Sequence, residues 1–121
     1  MVHGADGLDE VTTTDKTFIS EVNRGKFSDY EIKPEDFGFK RADLKDLKGG
    51  DLADNVRIAQ EVLCGKGGVQ RDIVLLNSGC AIYAADKAGS ITEGIKLAAE
   101  AIDSGRAQEN LKLLREYSNN G

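Results

Sequence analysis

Five consecutive residues, Asp6-Gly7-Leu8-Asp9-Glu10, hold the concentrated chemistry of this chain. Adjacent side chains on a strand point to opposite faces, whereas in a turn both can reach one region. Asp9 and Glu10 in a turn would therefore offer two hard oxygen donors to one point. Mg2+ is commonly held by one or two carboxylates, with waters and substrate phosphates completing its shell. Asp9 and Glu10 are thus a candidate Mg2+-binding pair, and they suit an open site better than a closed cage. An acidic loop on an acidic protein can equally be solvated surface. Asp6 reads either as a turn-capping residue or as a partner behind the metal.

The other reactive side chains are few. His3 is the single histidine, too few for a zinc site of the usual His/Cys type. A Ser-His-Asp or Cys-His arrangement would have to use His3 beside the first residues, where exact positioning is hard. Cys64 and Cys80 sit in apolar helical contexts and read as small buried hydrophobes rather than a disulfide. Arg71 and Asp72 read as a cap or an ion pair at a helix start. Asn77 and Tyr83, on an otherwise apolar helix, are expected to make structural hydrogen bonds.

These residues need elements to position them. Val2 and His3 read as the end of a strand, and a polar, turn-rich loop follows to Asp15. Phe18, Ile19, Val22, Phe27, Tyr30 and Ile32 favour strands, and Asn23-Arg24-Gly25-Lys26 is a turn signal, so residues 17–33 read as a hairpin ended by Pro34. Residues 34–50 read as irregular, with one helical turn over 42–47. Asp51 caps a helix to Cys64, with Leu52, Val56, Ala59 and Leu63 as its apolar stripe and Gly65 as its C-terminal stop. Over 71–85 apolar residues cover every face, which predicts a buried helix. Ser90-Ile91-Thr92-Glu93 has the form of a capping box, opening a helix striped by Ile91, Ile95, Ala98 and Ile102 and ended by Gly105. Ala107, Leu111 and Leu114 stripe a last helix, which is expected to fray over Asn119-Asn120-Gly121.

The chain has 121 residues, enough for one domain. Apolar residues make up 40% and charged residues 31%, with a mean hydropathy of −0.39, which excludes a disordered chain. A net charge of −5 without a basic patch argues against nucleic acid and anionic membranes as partners. No apolar run is long enough to span a bilayer, and the first residues carry no signal-peptide pattern, so a cytoplasmic setting is expected. A short β-rich front followed by about four helices is lopsided, because a two- or three-stranded sheet is marginal alone. Such a chain is expected to be part of something larger or to assemble with itself as a homodimer.

Several motifs in order carry a resemblance. Val2-His3-Gly4 with Asp6-Gly7-Leu8-Asp9-Glu10, Pro34-Glu35-Asp36-Phe37-Gly38, Gly49-Gly50-Asp51 with Asn55, Arg71-Asp72, Leu75-Leu76-Asn77, Glu93-Gly94 and Ile102-Asp103-Ser104-Gly105 resemble the anthranilate phosphoribosyltransferase family across nearly the whole chain. That resemblance implies an α/β fold, here a fragment (residues 1–121) of the nucleoside phosphorylase/phosphoribosyltransferase catalytic domain, corresponding to the C-terminal part of its α/β domain. It implies transfer of phosphoribose from phosphoribosyl pyrophosphate to anthranilate in tryptophan biosynthesis, with Mg2+ as cofactor. Asp9 and Glu10 match the family's metal-binding acids, and His3 belongs to its His-Gly step, where a frayed terminal residue is the other reading. The glycine-rich pyrophosphate loop, the Lys-His-Gly motif and the arginine that meets anthranilate have no counterpart here, so the chain alone is expected to be inactive. Val69 stands where the family often has proline, and Cys80 where a small residue is usual. The competing expectations are a non-catalytic binding or assembly module that kept the fold, and a fragment of a related nucleoside phosphorylase.

Overall fold

The computed structural model describes residues 1–119; the expected fraying of Asn120 and Gly121 lies outside the described residues. Three strands, β1 (Val2–Gly4), β2 (Thr17–Asn23) and β3 (Lys26–Ile32), form an antiparallel sheet in the order β1-β2-β3. Register sets Val2 opposite Ile19, and Ile19 opposite Tyr30. The face carrying Thr17 and Ile19 is turned to the core, while Phe18, Val22 and Phe27 remain exposed on the other. Arg24 and Gly25 both take positive φ at the hairpin tip (48° and 77°), the geometry of a type I′ turn, which matches the twist of the strands it joins.

Five helices follow: α1 (Leu44–Leu47), α2 (Leu52–Leu63), α3 (Val69–Ala84), α4 (Ile91–Asp103) and α5 (Arg106–Asn119), after a 3-10 turn at Pro34–Phe37. Asp51 caps α2 by accepting from the Asp54 amide at 2.9 Å. Gly65 ends it with φ 85°; Gly65 N donates to Val62 O and Lys66 N to Glu61 O, both at 2.9 Å, the paired bonds of a Schellman stop. At the start of α4, Ser90 Oγ accepts from Glu93 N at 3.2 Å. The return bond of the expected box differs: the Glu93 carboxylate takes the Gly89 amide at 2.7 Å, one residue before the cap.

The core has two halves joined through α3. Val11, Ile19, Ile32 and Leu76 form the half under the sheet, and Val62, Leu75, Ala98 and Ile102 the half between helices, with Phe39 and Ile95 touching both. Helices α3 and α4 meet backbone to backbone. A Cβ on Gly79 would lie 2.8 Å from Ile95 N, and one on Gly94 would lie 3.0 Å from the Gly79 carbonyl carbon, so no larger residue fits at the crossing.

Three packing expectations are corrected. The buried face of α2 runs through Val62 with half-buried Ile58, while Leu52 and Val56 of the expected stripe are 81% and 48% exposed. Helix α3 is not covered all round. Leu75, Leu76 and Gly79 are buried, but Val74 is 39% exposed, because it faces an open groove that α3 shares with α1 and α2. Cys64 is exposed rather than buried, since it follows the last turn of α2 beyond the packed face. Cys80 is half-buried, and burial pushes its thiol up to about 11.

Candidate metal centre

The acidic pair is positioned by the loop between β1 and β2. That loop turns back on itself at once: Gly4 N donates to Leu8 O at 2.8 Å and Gly7 N to Gly4 O at 3.0 Å, with Gly7 at φ 95°. The Asp6 carboxylate locks the turn. Its Oδ1 accepts from Leu8 N at 3.1 Å, its Oδ2 from Thr12 Oγ1 at 2.6 Å, and Thr14 Oγ1 donates to the same oxygen. Thr17 Oγ1 accepts from Thr12 N at 3.0 Å, and Thr13 O accepts from Ala42 N at 2.9 Å. Burial disfavours the Asp6 charge, yet the two hydroxyls and the Leu8 amide outweigh it and hold this carboxyl below its ordinary value of 3.8. Asp6 is therefore spent on the loop, in agreement with its reading as a turn-capping residue.

Asn77 fixes the far side. Its Oδ1 accepts from Val11 N at 3.0 Å, and its Nδ2 donates to Val11 O at 2.7 Å and to Ile73 O at 3.0 Å. The residue directly after Glu10 is thus clamped to the middle of α3. Between Leu8, fixed by Asp6, and Val11, fixed by Asn77, stand Asp9 and Glu10, both exposed. Among the described residues no group of three or more His, Cys, Asp or Glu side chains could hold a metal. Asp9 and Glu10 alone offer two adjacent hard oxygen donors, a set suited to a cation that keeps most of its shell for water and phosphate.

The other candidates separate from this centre. His3 lies on β1 opposite Phe18 with its side chain exposed. Arg71 donates to Gly65 O at 2.9 Å and pairs with Asp103 at 2.8 Å, tying the start of α3 to the ends of α2 and α4. Burial raises the Asp72 carboxyl, against the pull of Arg71. Tyr83 donates to Glu21 Oε1 at 2.9 Å and Tyr30 to Oε2 at 2.8 Å, so two phenols hold the Glu21 carboxyl below its ordinary value while joining hairpin to α3. The sequence reading missed Glu21 and the Thr12, Thr14 and Thr17 hydroxyls. A threonine run six to eight residues after a turn aspartate was the available signal.

A groove of about 910 Å3 is lined by Leu8 and Glu10 together with residues of α1, α2 and α3. The sequence profile described as "Glycosyl transferase family, a/b domain" matches residues 1–108, which include the loop, its clamp and the groove. The chain belongs to that family. Among its curated relatives is an anthranilate phosphoribosyltransferase of Methanobrevibacter smithii, 48% identical over 118 residues, covering 98% of this chain and 35% of the relative. Another, from Persephonella marina, is 49% identical over 122 residues, covering 100% and 36%. The chain spans about a third of the length of the curated relatives it matches. The anthranilate phosphoribosyltransferase structure from Thermus thermophilus is 39% identical with TM-score 0.81, over 92% of this chain and 32% of that one. The Saccharomyces cerevisiae enzyme in complex with PRPP and Mg is 29% identical with TM-score 0.81, again over 92% and 32%. The sheet and helices described above are thus an α/β fragment of this glycosyl transferase fold.

Proposed function

We propose that this chain contributes the Mg2+-holding acidic pair of a longer enzyme that transfers phosphoribose from phosphoribosyl pyrophosphate to anthranilate in tryptophan biosynthesis. The observation that carries the reading is the apex itself, two exposed carboxylates flanked by residues fixed from both sides. The names of the relatives and the PRPP- and Mg-bound yeast neighbour support it.

In this reading Asp9 and Glu10 hold Mg2+ through their carboxylate oxygens. The ion would offset the negative charge that gathers on pyrophosphate as it leaves the ribose. Neither acid acts as a base. Asp6 and Asn77 hold the backbone on either side of the two acids, at Leu8 and Val11, which lowers the order to be gained when metal and diphosphate arrive. The two thirds of the relatives' length that this chain does not span would supply the pyrophosphate loop and the anthranilate contacts, so the chain alone is inactive. We further propose a cytoplasmic setting, in keeping with two unpaired cysteines, and a homodimer of the isolated chain.

The test is a full-length enzyme carrying this chain as its corresponding third, compared with its Asp9→Asn/Glu10→Gln variant. Neutralising both acids should raise the Mg2+ concentration needed for half-maximal turnover at least tenfold and lower kcat. Normal turnover and Mg2+ dependence in the double variant would sink the assignment. The isolated chain should show no transfer at all.

A further inference from the structure

We propose that the cleft between the hairpin, the C-terminal end of α3 and the start of α4 binds a small primary amine, with the ammonium on Glu21 and the hydrocarbon against Val2, Ile19 and Ile91. The cavity there has a volume of about 350 Å3, within the range of small-molecule sites. None of its lining residues belongs to the acidic loop, so the proposal goes beyond the metal chemistry argued above and does not depend on it.

Glu21 is a half-buried carboxylate without a cationic partner. Tyr83 donates to its Oε1 at 2.9 Å and Tyr30 to its Oε2 at 2.8 Å, while the Asn23 amide approaches Oε1 at 3.4 Å. Among the described residues no Lys, Arg or His side chain forms an ion pair with it. Two positive groups do line the cavity, Arg24 at the hairpin tip and the Met1 ammonium. The latter donates to Ser20 O at 2.8 Å, and neither pairs with Glu21.

The hydrogen bonds decide which ligand suits the cleft. Both phenols give their protons to Glu21, so what they leave for a ligand is acceptor capacity: the lone pairs of two phenol oxygens and those remaining on the carboxylate. Asp86, which also lines the cavity and raises the Tyr83 phenol, adds a second negative group. An ammonium carries three N–H donors and no acceptor, and is the complement of this set. Phenol rings attract a cation as well. An anion would meet like charge. The apolar side chains of Val2, Ile19 and Ile91 give a short hydrocarbon its surface. Four titratable side chains of the cleft are displaced together. The bonds from Tyr30 and Tyr83 hold the Glu21 carboxyl low, burial and Glu21 push the Tyr30 phenol up, the bond to Glu21 raises Tyr83, and burial raises Cys80. Displaced values gathered in one cleft accompany ligand sites.

Tyrosine emission tests the proposal. The chain has three tyrosines and no tryptophan, so a Tyr117→Phe background leaves Tyr30 and Tyr83 as the reporters. Titration with n-butylammonium chloride should change their emission saturably, whereas butanol, butyrate and sodium chloride at the same concentrations should not. Glu21→Gln keeps an oxygen for a phenol to donate to, and should weaken binding about tenfold or more, the loss of a charged hydrogen bond. Ala84→Phe, at an exposed position on the cavity wall, fills the space with Glu21 intact and should abolish the saturable change while the circular dichroism spectrum is kept. This second variant carries the test should Glu21→Gln fail to fold. A linear or absent response to butylammonium, an equal response to butanol or sodium, or undiminished binding in either folded variant would overturn the proposal.

Discussion

Asp6 and Asp9 lie three residues apart in the same loop and meet different surroundings. Asp6 takes hydrogen bonds from one backbone amide and two hydroxyls, whereas Asp9 is exposed at the apex. Because the folded protein holds the Asp6 carboxyl below its ordinary 3.8, the unfolded chain binds that proton more readily. The stability gained is therefore fully present above the ordinary value and is lost as pH falls through the lower folded value. Asp6→Asn should lower stability near neutral pH, because an amide cannot accept from all three donors as a carboxylate does. It should also flatten the part of the stability profile below the ordinary value of 3.8. Urea unfolding at a series of pH values measures both, and a parallel profile in the variant would show that Asp6 does not lock the loop. That Asp9 and Glu10 stand on an exposed turn was legible from residue type and spacing. Asn77 was legible only as a polar residue in need of a partner, since nothing local says that Val11, sixty-six positions away, is that partner.

At the scale of elements, the stops and caps were readable because their physics is local. Asp51, Ser90, Gly65 and Gly105 each act within a few residues of themselves. Burial was less readable, because it depends on what lies opposite. The even spacing of Leu52, Val56, Ala59 and Leu63 marks an apolar stripe, but the fold presents Val62 to the core and leaves Leu52 in solvent. Gly94 makes the same point in reverse. In an open helix Gly→Ala adds roughly 1 kcal/mol of stability through propensity. At Gly94 the new methyl would meet the Gly79 backbone, which cannot swing aside as a side chain would. Gly94→Ala should therefore destabilise the fold by about 1–3 kcal/mol, the range for overpacked cores. The urea midpoint should fall, with the helical circular dichroism signal preserved in the absence of denaturant. An unchanged or higher midpoint would show that α3 and α4 can separate at little cost.

For the whole molecule, the decisive property is how much apolar surface the chain leaves without a layer. Helix α5 has no buried residue. Its Leu111, Leu114 and Tyr117 recur at helical spacing and are 39%, 65% and 78% exposed. Such a stripe can pair with its own copy about a two-fold axis, each helix covering the other's leucines. A net charge of −5 on each copy opposes that approach, and added salt screens it. Light scattering at micromolar concentration should therefore report a mass near twice 13.0 kDa, with the dimer strengthened by salt. Leu114→Glu should return the chain to a monomer, because a carboxylate in the pairing face is buried without a partner. Salt sensitivity distinguishes this contact from ion pairing, which salt would weaken. A wild-type monomer at that concentration, or a dimer indifferent to Leu114→Glu, would show that α5 is not the surface through which the isolated chain covers itself.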